Sequence, residues 1–406
     1  MNVRRFFADP FLFWVCLAAS LLGLVAIWDA GYARGGAGGS VLPRELRHQA
    51  VFLVIAVLAG WGCTRIPRAS WRWLGWVGLA VSFGLLIAVR HPGIGYSIGG
   101  AQRWIKLGVL TLQPSEFIKL AAIMFLAAAM AAHEPWKVRR KVIRNFGERI
   151  DRVVVPKFKR AFPFLLVLAL AIMVERQPDL ATAAVIIAGA VAIIAVAGVT
   201  RKSLVILAAA SVVLVGAAIA DQPYRLERLT SHSARWEPEN IRGRGYQTVV
   251  SETALARGGV FGVGLGQGVA KHTLPAPTTD FVLTTVGEEF GLVGALFVVM
   301  LLALVSWRLL WLAARAPDRF GRLALVGFGV WIGVQACTNV LMVNGSVPPI
   351  GIPLPFISYG GSSLLALWMA VGLSMTMAGK QSEKEVERPE TRRYGWRNRR
   401  ARVSRA

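Results

Sequence analysis

The sequence predicts an all-α polytopic membrane protein with about ten transmembrane helices and a long, partly ordered exterior loop before the eighth of them. The first observation is composition, because 55% of the 406 residues are hydrophobic and the mean hydropathy is +0.53. The second is that these residues form runs of about 20, the length that crosses a bilayer. The third is that Lys and Arg fall mainly between the runs and in the C-terminal tail.

Ten apolar windows define the predicted helices in chain order. They lie near residues 11–28, 48–64, 71–89, 114–132, 162–175, 180–198, 203–220, 282–305, 322–343 and 359–378. The first window is too long for the apolar core of a signal peptide and no small-residue cleavage site follows it, so we predict an uncleaved first span. Only ERQPD at 175–179 separates the fifth window from the sixth. Residues 11–378 are therefore the predicted membrane domain.

Basic residues give the predicted orientation, because cytoplasmic connections are enriched in Lys and Arg. The segments that we place on the cytoplasmic side are Arg4 and Arg5; Arg65, Arg68 and Arg72; Lys137 to Arg160; Arg201 and Lys202; Arg308 to Arg322; and Lys380 to Arg405. The N-terminus (1–10) and the basic tail (379–406) are then both cytoplasmic. The tail lacks apolar periodicity and is expected to be disordered.

The formal net charge of +24 does not predict a nucleic-acid partner. The basic residues fall in short loops and the tail, whereas a nucleic-acid site needs them gathered on one folded surface. The three cysteines lie inside or at the edge of apolar runs, and their spacing predicts neither a metal site nor a disulfide framework.

Three connections on the exterior side are unusually long, at 91–113, 221–280 and 344–358. Loops of this length are usually functional or disordered. The second contains GVFGVGLGQG, which lacks the Lys-Ser/Thr ending of a Walker motif and follows no strand, so no nucleotide site is predicted. Its glycines instead predict tight turns and close packing in a re-entrant loop.

Seven motifs follow one another along the chain. They are GAQRWIKLG (100–108), LQPSEFIKL (112–120), QPDLATA (177–183), RGYQ (244–247), GGVFGVGLGQG (258–268), TDFVLTTVGEEFGLVG (279–294) and GIPLPFISYGGSSLL (351–365). Each is weak alone, but the ordered set resembles the SEDS family of polytopic bacterial glycosyltransferases, which includes FtsW, RodA and SpoVE. The resemblance covers roughly residues 10 to 380, and the spelling GVGLGQGVAK favours the FtsW type.

The resemblance implies a reaction, a location and partners. The family polymerises lipid II, a disaccharide-peptide on undecaprenyl pyrophosphate, at the outer face of the bacterial cytoplasmic (inner) membrane. FtsW serves cell division and RodA serves elongation, and a class B penicillin-binding protein is the implied transpeptidase partner among other divisome or elongasome membrane proteins. The resemblance implies no definite cofactor and leaves a divalent-cation requirement open.

The resemblance also assigns site residues. An essential Asp that follows a Thr in the family's exterior motif corresponds to Asp280, and an important Trp in its Gly-x-x-Arg-Trp-Ile motif corresponds to Trp104. Near this Asp the family reads Leu-Pro-Glu-x-His-Thr-Asp-Phe, whereas this chain has Ala276 and Thr278 in place of the Glu and the His. The departure removes any role for those two side chains and retains the Asp.

The chemistry of these residue types leaves two interpretations open for each. At the start of the eighth span Asp280 is either an N-cap or the general base that takes the proton of the acceptor sugar hydroxyl. Arg103 and Lys106 either bind the departing pyrophosphate or extend along the interface with their charges in water. Trp104, between them, either stacks on a sugar or belongs to an interfacial aromatic belt.

Further candidates are charged or polar residues in or near the spans. Glu116 and Lys119 share a helix face at i and i+3, which predicts an ion pair, and we place Lys119 near the substrate groove. Glu288 and Glu289 point different ways on a helix, so we expect one to pair with a basic group and the other to face a cavity. Glu289 is a predicted substrate-binding residue. Residues of the exterior loop that either grip phosphate or solvate the loop are Arg242, Arg244 and Gln247.

The main functional prediction is a lipid II glycosyltransferase that inverts the anomeric centre, with Asp280 as its base. A flippase or another transporter of lipid-linked sugars agrees equally well with the composition. Its key charges would lie near the membrane midplane, however, whereas these motifs cluster on exterior loops. A scaffold that recruits cell-wall enzymes is the third class, and it would tolerate Asp280→Asn.

Overall fold

The computed structural model describes residues 8–34, 42–98, 101–107, 110–132 and 155–378. Ten long helices occupy the ten predicted windows, which confirms a polytopic helical membrane protein. Within the described ranges, eight of them are long and apolar enough to span a membrane, and the fifth and sixth contain shorter apolar stretches. The helices are α1 (Pro10–Arg34), α2 (Arg44–Cys63), α3 (Arg68–Arg90), α4 (Pro114–Ala131), α5 (Val155–Glu175), α6 (Leu180–Val196), α7 (Arg201–Ala220), α8 (Pro223–Ser233), α9 (Pro238–Ile241), α10 (Tyr246–Gly258), α11 (Ala270–Thr273), α12 (Val282–Ala314), α13 (Arg319–Val343) and α14 (Gly361–Ala378).

Helix α4 is the centre of the bundle. It contacts α3, α5, α6, α13 and α14, and nearly all of its residues are buried. Its sequence AAIMFLAAAMA is rich in alanine, which lets neighbouring helices approach closely. Around this centre α14 packs on α2, while α12 packs on α13 and α1.

The connection 91–113, which the sequence predicts to be exterior, forms a small antiparallel sheet that the all-α prediction did not include. Its strands are β1 (Gly95–Ile98), β2 (Ala101–Leu107) and β3 (Leu110–Leu112), in the order β1-β2-β3. The register pairs Tyr96 with Trp104 and Ile105 with Leu112. The strands are short and mix polar with apolar residues on both faces, so a periodicity of two does not reveal them.

The exterior loop 221–280 is ordered by four short helices, α8 to α11. Helix α10 is the longest of them and packs against α12. The expectation of a partly ordered loop before the eighth span is therefore confirmed, and the loop carries more helix than its composition suggested.

Helix α12 is interrupted at Gly291, whose φ of +69° lies in the left-handed region. Residues 259–264 of the exterior loop fill the gap. The carbonyls of residues 259 and 260 accept the backbone N–H groups of residues 292 and 293, which follow the break, at 2.9 and 3.2 Å. The backbone N–H groups of residues 263 and 264 donate to the carbonyls of residues 288 and 289, which precede the break, at 3.0 Å. A Cβ on Gly262 would lie 2.0 Å from the Glu289 carbonyl oxygen, so only glycine permits this approach. The predicted close packing of the glycine-rich segment is confirmed.

Several predictions concern segments outside the described residues. These segments are residues 1–7 of the predicted N-terminus (1–10), residues 137–154 of the basic run from Lys137 to Arg160, and the whole tail 379–406. The cytoplasmic placement of both termini, the domain boundaries and the disorder of the tail stay predictions.

Candidate functional site

The backbone around Asp280 is fixed against the segment that precedes α14. The amide of Asn339 on α13 donates to the Asp280 carbonyl at 2.8 Å and to the Ile352 carbonyl at 2.7 Å. The Ser358 hydroxyl donates to the carbonyl of residue 279 at 2.5 Å. The backbone N–H of Tyr359 donates to the carbonyl of residue 278 at 2.8 Å. Three successive carbonyls are thus held, which sets the position of the Asp280 side chain.

The Asp280 carboxylate is not a helix cap. Helix α12 begins at Val282, the residue before it is Phe281, and no side-chain cap bond is made. Among the described residues, none donates a hydrogen bond to the carboxylate, which faces Gly351. A Cβ on that glycine would lie 3.5 Å from Asp280 Oδ2, so the carboxylate borders a position without a side chain. The N-cap interpretation is therefore wrong.

The electrostatic setting of Asp280 suits proton transfer. Burial raises the pKa of Asp280 to about 6, the negative charge of Asp179 adds to the rise, and the positive charge of Arg103 opposes it. A carboxylate with this pKa is mostly ionised at pH 7 and is a stronger base than an ordinary one. The arrangement can therefore accept a proton from a hydroxyl near neutral pH.

Arg103 and Asp179 are the two charged groups that the fold brings to Asp280. The Arg103 Nε donates to the Gln177 carbonyl at 2.7 Å, and its guanidinium also donates to the Pro178 carbonyl. The Arg103 side chain therefore joins β2 to the segment that begins α6. Asp179 lies in the QPDLATA motif and was not among the predicted site residues, although an Asp before an apolar helix is a signal for an N-cap.

Trp104 and Lys106 lie on the other face of β2 from Arg103, because successive side chains of a strand alternate. The Lys106 Nζ is exposed and lies 5.7 Å from the centre of the Tyr96 ring. Trp104 is partly exposed and faces Tyr96 across the strand pair. The structure therefore groups Arg103 with Asp280, while substrate binding by Trp104 and Lys106 stays a prediction.

Lys119 is enclosed in the helix bundle. Its Nζ donates to Glu116 at 2.9 Å and to the Gln335 side chain at 2.9 Å, and it lies 5.0 Å from the centre of the Trp331 ring. The predicted i, i+3 ion pair is confirmed, with both side chains 2% exposed. The position of Lys119 near the substrate groove stays a prediction. In the described structure Lys119 supports the segment before α14, since its partner Gln335 donates to the Pro353 carbonyl at 2.9 Å.

Glu289 is buried by the glycine-rich segment. It accepts the backbone N–H groups of Gly266 and Gly268 at 3.1 and 3.0 Å and the Lys271 ammonium at 2.6 Å. Lys271 also donates to Asp29 on α1 at 2.7 Å. The carboxylate is 1% exposed and lines a largely apolar cavity of about 430 Å³ between α1 and α12, so its role in substrate binding stays a prediction. Glu289 therefore joins the exterior loop to α1 and α12.

Glu288 is also buried, and the two expected roles are not divided between the carboxylates, because Glu289 both pairs with Lys271 and lines the cavity. The Glu288 oxygens accept the backbone N–H groups of Val269 and Ala270 at 3.0 and 2.8 Å. Loop amides of the kind that bind phosphate in a nucleotide site thus bind two carboxylates of the protein itself. This occupancy gives a physical reason against a phosphate-loop interpretation of the segment.

The remaining candidates lie on the exterior loop. Arg244 forms an ion pair with Glu227, and both side chains are about half exposed. Arg242 is exposed after α9, and Gln247 is partly buried in the first turn of α10. Their substrate contacts stay predictions. In the part of the chain that the structure describes, no group of three or more His, Cys, Asp or Glu side chains could hold a metal ion.

A protein-family model described as "Cell cycle protein", which covers FtsW, RodA and SpoVE, matches residues 10–383. The chain belongs to the FtsW/RodA/SpoVE family. It is 32% identical over 379 residues to stage V sporulation protein E of Bacillus subtilis (strain 168), covering 93% of this chain and 99% of that protein. It is 36% identical over 339 residues to the probable peptidoglycan glycosyltransferase FtsW of Allochromatium vinosum, covering 81% and 79%.

Solved structures of the family share this fold. RodA of Thermus thermophilus aligns with a TM-score of 0.62 at 26% identity, covering 91% of this chain and 96% of that one. A chain from a peptidoglycan synthase complex, described under "structural coordination of polymerization and crosslinking", aligns with a TM-score of 0.72 at 29% identity, covering 91% and 97%. The family predicted from the ordered motifs is thus confirmed, and the FtsW names of many relatives agree with the FtsW-type spelling.

Proposed function

We propose that this protein is a peptidoglycan glycosyltransferase that polymerises lipid II into glycan strands at the outer face of the bacterial cytoplasmic membrane, for the septal wall. The Asp280 carboxylate carries the proposal. Its backbone is fixed through three successive carbonyls, while no described residue donates a hydrogen bond to its oxygens. A fixed and unengaged acceptor is what a general base requires. Relatives named peptidoglycan glycosyltransferase support the reaction class.

The proposed reaction is a single displacement at the anomeric carbon of the donor sugar. The acceptor hydroxyl forms the new bond, the bond from that carbon to the pyrophosphate oxygen breaks, and Asp280 takes the hydroxyl proton. Arg103 is the proposed contact for the departing pyrophosphate, because its charge already acts on Asp280 and guanidinium groups bind phosphate. Trp104 and Lys106 are proposed to hold the substrate further out on the other face of β2.

The proposed partner is a class B penicillin-binding protein that cross-links the glycan product. The structural match to a chain of a peptidoglycan synthase complex supports a partner of this kind. Both termini are proposed to be cytoplasmic, which places Asp280, the sheet and the exterior loop outside.

Polymerisation of labelled lipid II by the purified protein with its cognate transpeptidase tests the proposal. The native chain is compared with Asp280→Asn at equal folded amounts, and Asp221→Asn is the matched control because Asp221 is an exposed carboxylate at the end of α7. We expect polymer from the native chain and the control, and none from Asp280→Asn. Equal activity of all three would remove Asp280 as the base. No polymer from an assembled native pair would favour the transporter or scaffold.

A further inference from the structure

The cavity between α1 and α12 opens toward the membrane. Its volume of about 430 Å³ lies in the range of sites that bind small ligands. Both helices are apolar enough to span a bilayer, so their outward-facing sides contact lipid. The lining side chains that are 43% to 49% exposed, and therefore mark the opening, are Leu21, Val25, Phe290 and Phe297.

The cavity has an apolar end and a polar end because the two helices are antiparallel. Arg308 near the end of α12 pairs with Asp9 before α1 at 2.7 Å, whereas Lys271 joins Asp29 late in α1 to Glu289 early in α12. The lining residues Asp29, Thr285 and Glu289 therefore lie toward the exterior loop, and Leu21 and Phe297 lie toward the other end. The helix from Leu21 to Asp29 is roughly 12 Å long, which is enough for a substantial part of an extended acyl chain.

Two buried polar atoms at the polar end have no hydrogen-bond partner among the described residues. They are Asp29 Oδ2 and the Thr285 hydroxyl, on residues that are 6% and 2% exposed. The other Asp29 oxygen accepts the Lys271 ammonium, and both Glu289 oxygens are engaged. A buried polar atom without a partner is costly, so these two indicate that a ligand group completes the site.

The chemistry of the two ends defines this ligand. The apolar walls suit a hydrocarbon chain, whereas water would find too few polar partners there. A carboxylate oxygen such as Asp29 Oδ2 can only accept, so the ligand must carry a hydrogen-bond donor. Because Asp29 and Glu289 share one ammonium, the polar end attracts a cationic donor and repels a headgroup whose only charge is phosphate.

We propose that this cavity binds one acyl chain of a phospholipid from the leaflet nearest the exterior loop, with a primary ammonium headgroup that donates to Asp29. Phosphatidylethanolamine has this chemistry. The lipid completes the hydrogen bonds of the residue that Lys271 joins to the exterior loop, so lipid binding stabilises the loop against α1. The inference does not rest on the proposed function, because it involves neither Asp280 nor Arg103.

Photo-crosslinking of the purified full chain in detergent micelles tests the proposal. The probe is phosphatidylethanolamine with a diazirine in one acyl chain, and labelled peptides are mapped by mass spectrometry. Phosphatidylcholine with the same chain is the matched lipid, because its quaternary ammonium has no N–H to donate. We expect saturable labelling of residues 21–29 and 285–297, with roughly tenfold higher affinity for phosphatidylethanolamine, as one hydrogen bond to a charged acceptor gives.

Two variants separate a bound lipid from general contact with lipid. Ala26→Phe fills the cavity, and Ala18→Phe is the matched control at an exposed position of α1. We expect Ala26→Phe to abolish the labelling and Ala18→Phe to retain it. Thr285→Val keeps the shape of the side chain and removes its hydroxyl, so it should weaken phosphatidylethanolamine severalfold and leave phosphatidylcholine unchanged.

Equal affinity for the two lipids, or equal labelling of Ala26→Phe and Ala18→Phe, would overturn the proposal. If Ala26→Phe does not fold, Thr285→Val decides, because an unchanged ratio of the two lipid affinities would also overturn it. Displacement of the probe by undecaprenyl phosphate would assign the cavity to an isoprenoid chain instead. Loss of labelling on assembly with the transpeptidase would assign it to the partner's membrane helix, and either result rejects the phospholipid. None of these measurements needs polymer formation, so the failure of the proposed function would be seen separately.

Discussion

Replacing Lys271 with methionine tests the buried charges that join the exterior loop to α1. The Lys271 ammonium donates to Asp29 at 2.7 Å and to Glu289 at 2.6 Å, so the two carboxylates lie close together with one cation between them. All three side chains are 7% exposed or less. Methionine retains the length and apolar stem of lysine, so the loss of the charge is the main change.

The expected loss of stability is large because two partners are left behind. Two like charges about 5 Å apart repel by on the order of 3 kcal/mol at an effective dielectric constant of about 20. Removing one partner of a buried ion pair costs about 3–5 kcal/mol in general. We therefore expect Lys271→Met to lower the free energy of unfolding by about 3–5 kcal/mol.

SDS-induced unfolding of the purified protein in mixed micelles measures this change. Lys202→Met, at an exposed position in the first turn of α7, is the matched control and should change the free energy of unfolding by less than about 0.5 kcal/mol. The double variant Asp29→Asn with Lys271→Met should recover part of the loss, because only one carboxylate remains. A loss below about 1 kcal/mol for Lys271→Met, or no recovery in the double variant, would refute the reasoning.

Three other substitutions give distinct results in unfolding measurements. Gly262→Ala should cost at least about 3 kcal/mol because its Cβ meets backbone, whereas Gly266→Ala, with the same φ of +83° and open space, should cost about 1–2 kcal/mol. Asp280→Asn should stabilise the protein by up to about 3 kcal/mol at pH 7.5 and by almost nothing at pH 4. The reason is that the pKa of Asp280 is raised in the folded state, so its ionisation destabilises the fold increasingly as the pH rises from the unfolded-state pKa through about 6. Thermal unfolding at both pH values checks this. Lys119→Met should cost about 3–5 kcal/mol, and adding Glu116→Gln should restore most of it, whereas equal losses in the single and double variants would contradict the buried pair.

The fold followed from the sequence because its largest signal is local. An apolar run of spanning length forms a helix whatever surrounds it, since a backbone in lipid must satisfy its own hydrogen bonds. The ordered motifs then supplied the family and directed attention to Asp280. The sheet of residues 95–112 gave no such signal, because its strands are short and depend on pairing with each other.

A site residue could be predicted from the sequence only when its role does not depend on a partner elsewhere in the chain. Asp280 could be chosen from its motif and its place before α12. That its carboxylate does not cap the helix could not be predicted, because this depends on the residue at which α12 begins. Lys119 and Glu289 were predicted as substrate contacts because charges in spans are often functional, but the ion pairs that hold them were not predicted in full. Their partners, Gln335 and Lys271, are 216 and 18 residues away in the chain, and nothing in the local pattern pairs them. Asp179 was missed for the same reason, since its hydrogen-bond partner Ser115 lies 64 residues earlier in the chain.

The junction between the exterior loop and the break in α12 has a consequence for how this region can vary. Residues 259–264 meet the break through backbone hydrogen bonds on both sides, and the Lys271–Glu289 ion pair lies outside this junction. Most nearby positions can therefore change independently, whereas Gly262 and Gly291 exclude every residue that carries a Cβ. Comparisons that seek contacts from correlated substitutions should miss this junction. Two invariant glycines, far apart in the chain and without covarying neighbours, should be its only trace.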